Sequence, residues 1–150
     1  MRQEGDSIGG IVECTITGVP VGVGEPIFDK LQAHLAFAMM SINACKGFEY
    51  GSGFEGVSKT GSEMYLSGNP TLVSGGIAGG ISDGTPIVFR CVFKPTASNR
   101  KTLEAIRLEA RGEEAMRQEV TGRHDACVAV RAVPVVEAMA ALVLADMMGE

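Results

Sequence analysis

At 150 residues, with 45% apolar and 21% charged side chains, the chain has the size and balance of one folded domain, which excludes a disordered, collagen-like or coiled-coil polymer. A net charge of -5, no Trp and only 5% aromatics argue against a basic footprint for nucleic acid or anionic lipid, and against a stacking platform for single strands. Glycine is the outlier at 20 residues, nearly twice the usual share of about 7%, so many positions call for tight turns or close backbone approach.

Met1 to Asp6 starts acidic and lacks an apolar run, so it does not read as a secretory signal. From Ile8 to Val19 the pattern alternates, with Val12, Cys14 and Ile16 on one face and Glu13, Thr15 and Thr17 on the other. That predicts a half-buried strand, ended by the turn chemistry of Gly18 to Gly24. Glu25-Pro26 is expected to open a helix, since Pro suits the first helical position and an acid suits the N-terminus. Ile27, Leu31, Leu35, Met39 and Ile42 then recur at helical spacing and predict one apolar stripe.

Cys45 to Tyr50 reads as a short strand, and the Gly/Ser-rich, aperiodic stretch 51–68 as a mobile loop. Gly75 to Gly84 holds five glycines in ten residues. Ile87, Phe89, Cys91 and Phe93 alternate with Val88, Arg90 and Val92, predicting a strand buried on both faces. Lys94 to Arg100 is a polar loop. Residues 101–120 pull two ways: propensity favours helix, yet Arg111-Gly112 has the look of a turn between extended arms. The most apolar stretch, Cys127 to Met148, is interrupted by Arg131, Pro134, Glu137 and Asp146, so it predicts a buried helix from about Val130 to Met148 and no membrane span. No linker divides the chain, so residues 1–150 form a single unit.

Cys14, Cys45, Cys91 and Cys127 form no C-x-x-C pair, and His34 and His124 supply no close ligand pair either. Plain thiols in a reducing, cytoplasmic setting fit better than zinc. His34 lies mid-helix and reads as an exposed or satisfied helix residue. Three constellations carry chemistry. Ser74 to Gly84 pairs glycines so that backbone N–H groups can face a phosphate or a flavin edge, although it is neither G-x-G-x-x-G nor a Walker loop; a mere packing turn is the other reading. Lys94-Pro95-Thr96-Ala97-Ser98 offers a cation and two hydroxyls on a stiffened loop, an anion clamp or simply a solvated loop. Gly122-Arg123-His124-Asp125 precedes an apolar helix, where Arg and Asp can hold an anion and a proton-handling site, or Asp125 can cap the helix.

The whole chain resembles the C-terminal part of the chorismate synthase family. The resemblance runs through Asp6 to Gly10, Gly24 to Leu31, Ser41 to Ala44, Lys46 to Glu49, Gly75 to Gly84, Lys94 to Thr96, Gly122 to Cys127 and Arg131 to Met139. It implies an α+β fold, one half of a β-α-β sandwich with an antiparallel sheet on long helices, and a homotetramer. It also implies a carbon–oxygen lyase acting on phosphates, converting 5-enolpyruvylshikimate 3-phosphate to chorismate with reduced FMN and no net redox change; NADPH would serve only to reduce the flavin. Carried over, the flavin contacts are Asn43, Ala44, Gly79, Lys94, Pro95, Thr96, Ala97, Ser98 and Arg123, and Asp125 is the catalytic acid beside the flavin. Lys94, Arg100 and Arg123 are expected to gather into a basic pocket, and 101–120 to form two extended arms.

Departures accompany the match. The family chain is more than twice as long, and its N-terminal portion, with two catalytic histidines, has no counterpart here. Ala126 replaces a usual Pro, Leu72-Val73-Ser74 replaces Asn-rich residues, and Met64-Tyr65-Leu66 replaces an expected Asn-Asp. The alternatives to a lyase segment are a non-catalytic flavin- or phosphate-binding module and a piece serving subunit association. No metal, nucleic acid or membrane enters any of these readings.

Overall fold

A computed structural model describes residues 6–66, 73–97, 103–109, 112–118 and 125–149. The order is β1 (Gly10–Ile16), α1 (Leu31–Met40), β2 (Cys45–Tyr50), a 3-10 turn (Gly53–Ser58), α2 (Gly61–Leu66), β3 (Ile77–Ala78), β4 (Ile81–Ser82), β5 (Ile87–Phe93), β6 (Leu103–Glu109), β7 (Gly112–Gln118) and α3 (Ala129–Met147). The main sheet is antiparallel with order β1-β5-β2. Gly10 pairs with Phe93 and Ile16 with Ile87 along one edge of β5; Cys45 pairs with Phe93 and Tyr50 with Phe89 along the other.

Alternation decides what the sheet buries. Ile87, Phe89, Cys91 and Phe93 are 0–2% exposed, and Val12, Cys14 and Ile16 lie opposite them in β1. A bulge between Cys45 and Gly47 resets the side-chain alternation of β2, bringing Phe48 beside Phe89 with ring centroids 5.4 Å apart. Leu31, Leu35 and Met39 of α1 are fully buried, and Ala129, Ala132, Val136 and Ala140 form the buried stripe of α3. Both helices cover this one face of the sheet. The expectation that β5 is buried on both faces is therefore corrected: Val88 and Arg90 are half-buried and Val92 exposed. That second face carries the Arg90–Glu49 ion pair, Nε to Oε1 2.9 Å.

The first helix starts later than Glu25-Pro26 suggested. Glu25 N–H closes a turn on the Asp29 carbonyl at 2.9 Å, Lys30 is extended, and Leu31 N–H donates to the Gly80 carbonyl at 2.8 Å. A tertiary hydrogen bond thus sets the helix start, and Ile27, assigned to the buried stripe, is 70% exposed. The final helix lies where expected, but only one stripe of it is buried; Val130, Val133 and Leu142 face outward. Within 101–120 the described residues form two extended arms and not a helix: Leu103 to Glu109 pairs antiparallel with Gly112 to Gln118. Stretch 51–68 carries two short helical turns, more regular structure than its composition promised. Among the described residues no helix is long and apolar enough to cross a membrane.

Burial this complete makes the α1 stripe a large contributor to stability. Leu35→Ala, which empties a fully buried site, should lower unfolding free energy by about 2–5 kcal/mol. Phe37→Ala, on the same helix but 76% exposed, should change it by less than about 0.5 kcal/mol. Urea denaturation of the two variants checks the contrast.

Candidate functional site

The described members of the implied site fall into two groups, at opposite ends of the sheet. At the end where β5 exits, Asn43 is exposed and Ala44 adopts a left-handed φ of 70°, uncommon for a residue with a Cβ and strained by roughly 1–3 kcal/mol. The Ala44 carbonyl accepts the Lys94 N–H at 3.0 Å, joining the turn after α1 to the loop after β5. Thr96 is pinned through its carbonyl, which accepts the Ser7 hydroxyl at 2.7 Å. Its own Oγ1 is buried and has no partner among the described residues. Gly9 makes room for this loop, since a Cβ there would stand 2.5 Å from the Phe93 carbonyl oxygen and 3.3 Å from Pro95 Cδ. Ile8 N–H donates to the Ala126 carbonyl at 2.8 Å, which brings Asp125 to the same end.

Asp125 does not cap α3. The N-cap is Val128 with no side-chain hydrogen bond, and Asp125 Oδ2 instead pairs with Arg131 Nε at 3.1 Å. Sequence reasoning gave Arg131 no role; its place in the first turn of a helix that Asp125 precedes was the available signal. Lys94, Pro95 and Ala97 are exposed on this rim. Ser98, Arg100, Arg123 and His124 lie outside the described residues, and the expected basic pocket with them.

Gly79 stands at the other end, on the hairpin of β3 and β4. Ser82, 2% exposed, anchors that hairpin by donating to the Pro20 carbonyl at 2.6 Å and accepting from Val23 N–H at 2.9 Å. Gly79 has a φ of +64°, and a Cβ placed there would meet nothing within 4 Å. Asp83 ties the hairpin's base: Oδ1 accepts Thr85 N–H at 2.9 Å and the Thr85 hydroxyl at 2.6 Å, and Oδ2 accepts the Ser74 hydroxyl at 3.2 Å. A cleft of about 600 Å³ opens over this hairpin, lined by Tyr50, Tyr65, Ser74, Gly79 and Asp83 among others. Neither tyrosine was singled out in the sequence as a cleft residue.

Two independent rulers separate the ends. β5 has seven residues, roughly 20 Å at strand rise. α1 runs from the Gly80 contact to the Asn43 turn in ten residues, roughly 15 Å. Within one chain, Gly79 is therefore not brought to Lys94 or Asp125. His34, on α1, hydrogen-bonds Asp29 at 2.9 Å. All four thiols are free; burial, followed by the neighbouring Cys45, pushes the Cys91 thiol up to about 12, which keeps it protonated and unreactive. Among the described residues no three His, Cys, Asp or Glu side chains gather as a metal would require.

A three-stranded antiparallel sheet under two helices, with a glycine hairpin at one end and the Lys94 loop at the other, defines an α+β domain. Its match with known proteins is specific: residues 1–148 fit the family profile described as chorismate synthase, and the chain belongs to that family. It is 54% identical over 151 residues to a protein named chorismate synthase from Christiangramia forsetii, covering 97% of this chain and 42% of that one. A protein of the same name from Synechocystis sp. is also 54% identical, over 158 residues with the same coverage. A solved structure titled "Crystal Structure of Chorismate Synthase" superposes with a TM-score of 0.71 at 31% identity, over 97% of this chain and 39% of that chain. The chain thus spans about two-fifths of the length of the curated relatives it matches.

The Asp83 latch has a pH signature. Hydrogen bonds, first from the Thr85 hydroxyl and then from Thr85 N–H and Ser74, hold its carboxyl below the ordinary 3.8. The folded state then binds fewer protons than the unfolded one, so this contribution to stability is present above 3.8 and is lost as pH falls through the lower folded-state value. Asp83→Asn should flatten the difference in urea midpoint between about pH 5 and about pH 2 relative to the unmodified chain.

Proposed function

We propose that this chain supplies flavin contacts and the proton-handling acid of a lyase that eliminates phosphate from 5-enolpyruvylshikimate 3-phosphate to give chorismate, with reduced FMN and no net redox change. It corresponds to the C-terminal part of that enzyme and works in the cytoplasm, where free thiols persist. The observation that carries the reading is the β5 exit. There a loop with an exposed Lys94 and a buried Thr96 hydroxyl, unpartnered among the described residues, is joined to Ala44 and lies at the same end as Asp125. A hydroxyl with unused hydrogen-bonding capacity on the same loop as a cation fits a phosphate-bearing cofactor, and the open face of Gly79 fits the approach of a flat ring.

Reduced FMN, when bound, would supply the reducing environment that the elimination requires, without net redox change. This chain's residues do the rest of the work assigned to it. Lys94 and Thr96 hold anionic oxygens, with Pro95, Ala97 and Ser98 setting the loop and Arg123 adding a second cation. Asn43 and Ala44 border the same loop, and Asp125, with Oδ2 engaged by Arg131, handles the proton beside the flavin. Gly79 stands roughly 15–20 Å from this set inside one chain. That separation favours a site completed between copies, in keeping with a homo-oligomeric, tetrameric assembly. The outward apolar residues Phe37, Val130, Val133 and Leu142 also support a subunit-association role for this segment.

Departing phosphate needs several converging donors, and the cations available here are assigned to the flavin. The 150 residues alone should therefore bind FMN weakly and release no phosphate. An anaerobic assay with chemically reduced FMN and the phosphorylated substrate checks this; sustained release above a protein-free control would mean that the segment holds a complete site. When the chain is completed with the remainder of a relative's polypeptide, Asp125→Asn should slow single-turnover elimination by about 10²- to 10⁴-fold while leaving flavin affinity in place.

A further inference from the structure

Tyr65 is 75% exposed, and α2, which carries it, buries no residue. The ring therefore contributes nothing to the core. The segment that holds it is nonetheless well fixed at its start. Glu63 Oε2 accepts Thr60 N–H at 2.7 Å and Thr60 Oγ1 accepts Glu63 N–H at 3.3 Å, a reciprocal capping box that also draws the Glu63 carboxyl below its ordinary range. Tyr65 lines the cleft of about 600 Å³ together with Tyr50, Ser74, Gly79 and Asp83, a volume within the ordinary span for small-molecule sites. The cleft thus combines an aromatic side chain that the fold does not consume, a second tyrosine at the end of β2, and a hairpin tip at Gly79 with no side chain to obstruct a flat ligand.

We propose that Tyr65 is a ligand-contact residue whose ring lies against a planar heteroaromatic ring in this cleft, biasing the cleft toward flat aromatic ligands. The proposal rests on the flavin reading above and adds to it a contact that the implied flavin set does not contain. Offset aromatic contact adds to buried area, and the phenol's outward position leaves the ring available without rearranging the core. Since α2 buries nothing, replacing Tyr65 does not threaten the fold.

The test is titration of the purified chain with oxidised FMN and, separately, riboflavin, followed by flavin fluorescence. Tyr65→Ala should weaken both ligands by about 3- to 10-fold and reduce quenching of the bound flavin. Tyr65→Phe, which keeps the ring and drops the hydroxyl, should bind as the unmodified chain does. Phe54→Ala, an equally exposed aromatic of the 3-10 turn that lies outside this cleft, should have no effect. Unchanged affinity in Tyr65→Ala, an equal loss in Tyr65→Phe, or a loss confined to FMN would overturn the proposal. If the unmodified chain shows no saturable signal with either flavin at concentrations high enough to register weak binding, the flavin reading of this chain and the Tyr65 contact fall together. Saturable binding that ignores Tyr65 removes the contact alone.

Discussion

The central strand β5 is the constraint on which the other elements depend. It is hydrogen-bonded on both edges, to β1 and to β2, so its register fixes theirs. Its alternate residues Ile87, Phe89, Cys91 and Phe93 supply the most completely buried surface of the sheet, and a one-residue slip would turn that surface outward. The helices α1 and α3 follow from this, because each carries a single apolar stripe that has to meet the same face. The second face bears Glu49 and Arg90, an ion pair that the apolar face could not accommodate at comparable cost.

The same strand divides the chemistry. Residues entering β5 belong to the glycine hairpin and its cleft; residues leaving it belong to the Lys94 loop. Each end is reinforced by hydrogen bonds from distant segments: Leu31 and Val23 onto the hairpin, and Ser7, Ile8 and Ala44 onto or beside the exit loop. Glycine is required where those segments approach. At Gly9 a side chain would strike the Phe93 carbonyl, and at Gly80 it would strike Lys30. The glycine excess is thus in part a consequence of packing loops against strand ends, and among the described residues lining the cleft only Gly79 combines a positive φ with open space.

Membership of the chorismate synthase family, together with coverage of about two-fifths of the relatives' length, gives a physical context for the outward side of α3. A helix with Val130, Val133 and Leu142 in water is costly as a solitary surface and ordinary as a buried one. The two features point the same way: the domain presents loops at the sheet ends and apolar helix surface on its outer side.

Much of the fold was legible in the sequence because alternation and helical spacing report burial directly. The limits of β2 and α3, the alternation of β1 and the stripe from Leu31 to Met39 follow from residue pattern alone, and the loops at 75–84 and 94–97 follow from glycine and proline chemistry. The extended arms of 103–109 and 112–118 came from family resemblance, against local helical propensity. Tertiary structure decided what pattern cannot express. The start of α1 was set by the Gly80 carbonyl and not by Glu25-Pro26, and β5 was left open on one face because both helices lie on the other. Asp125 was turned from a helix cap into the partner of Arg131, and Tyr50 and Tyr65 were brought to one cleft from separate segments. Above all, the strand and helix lengths placed Gly79 and Lys94 at opposite ends of the domain. A linear motif carries no such distance, because it exists only once hydrogen-bond register has fixed which ends of the elements meet.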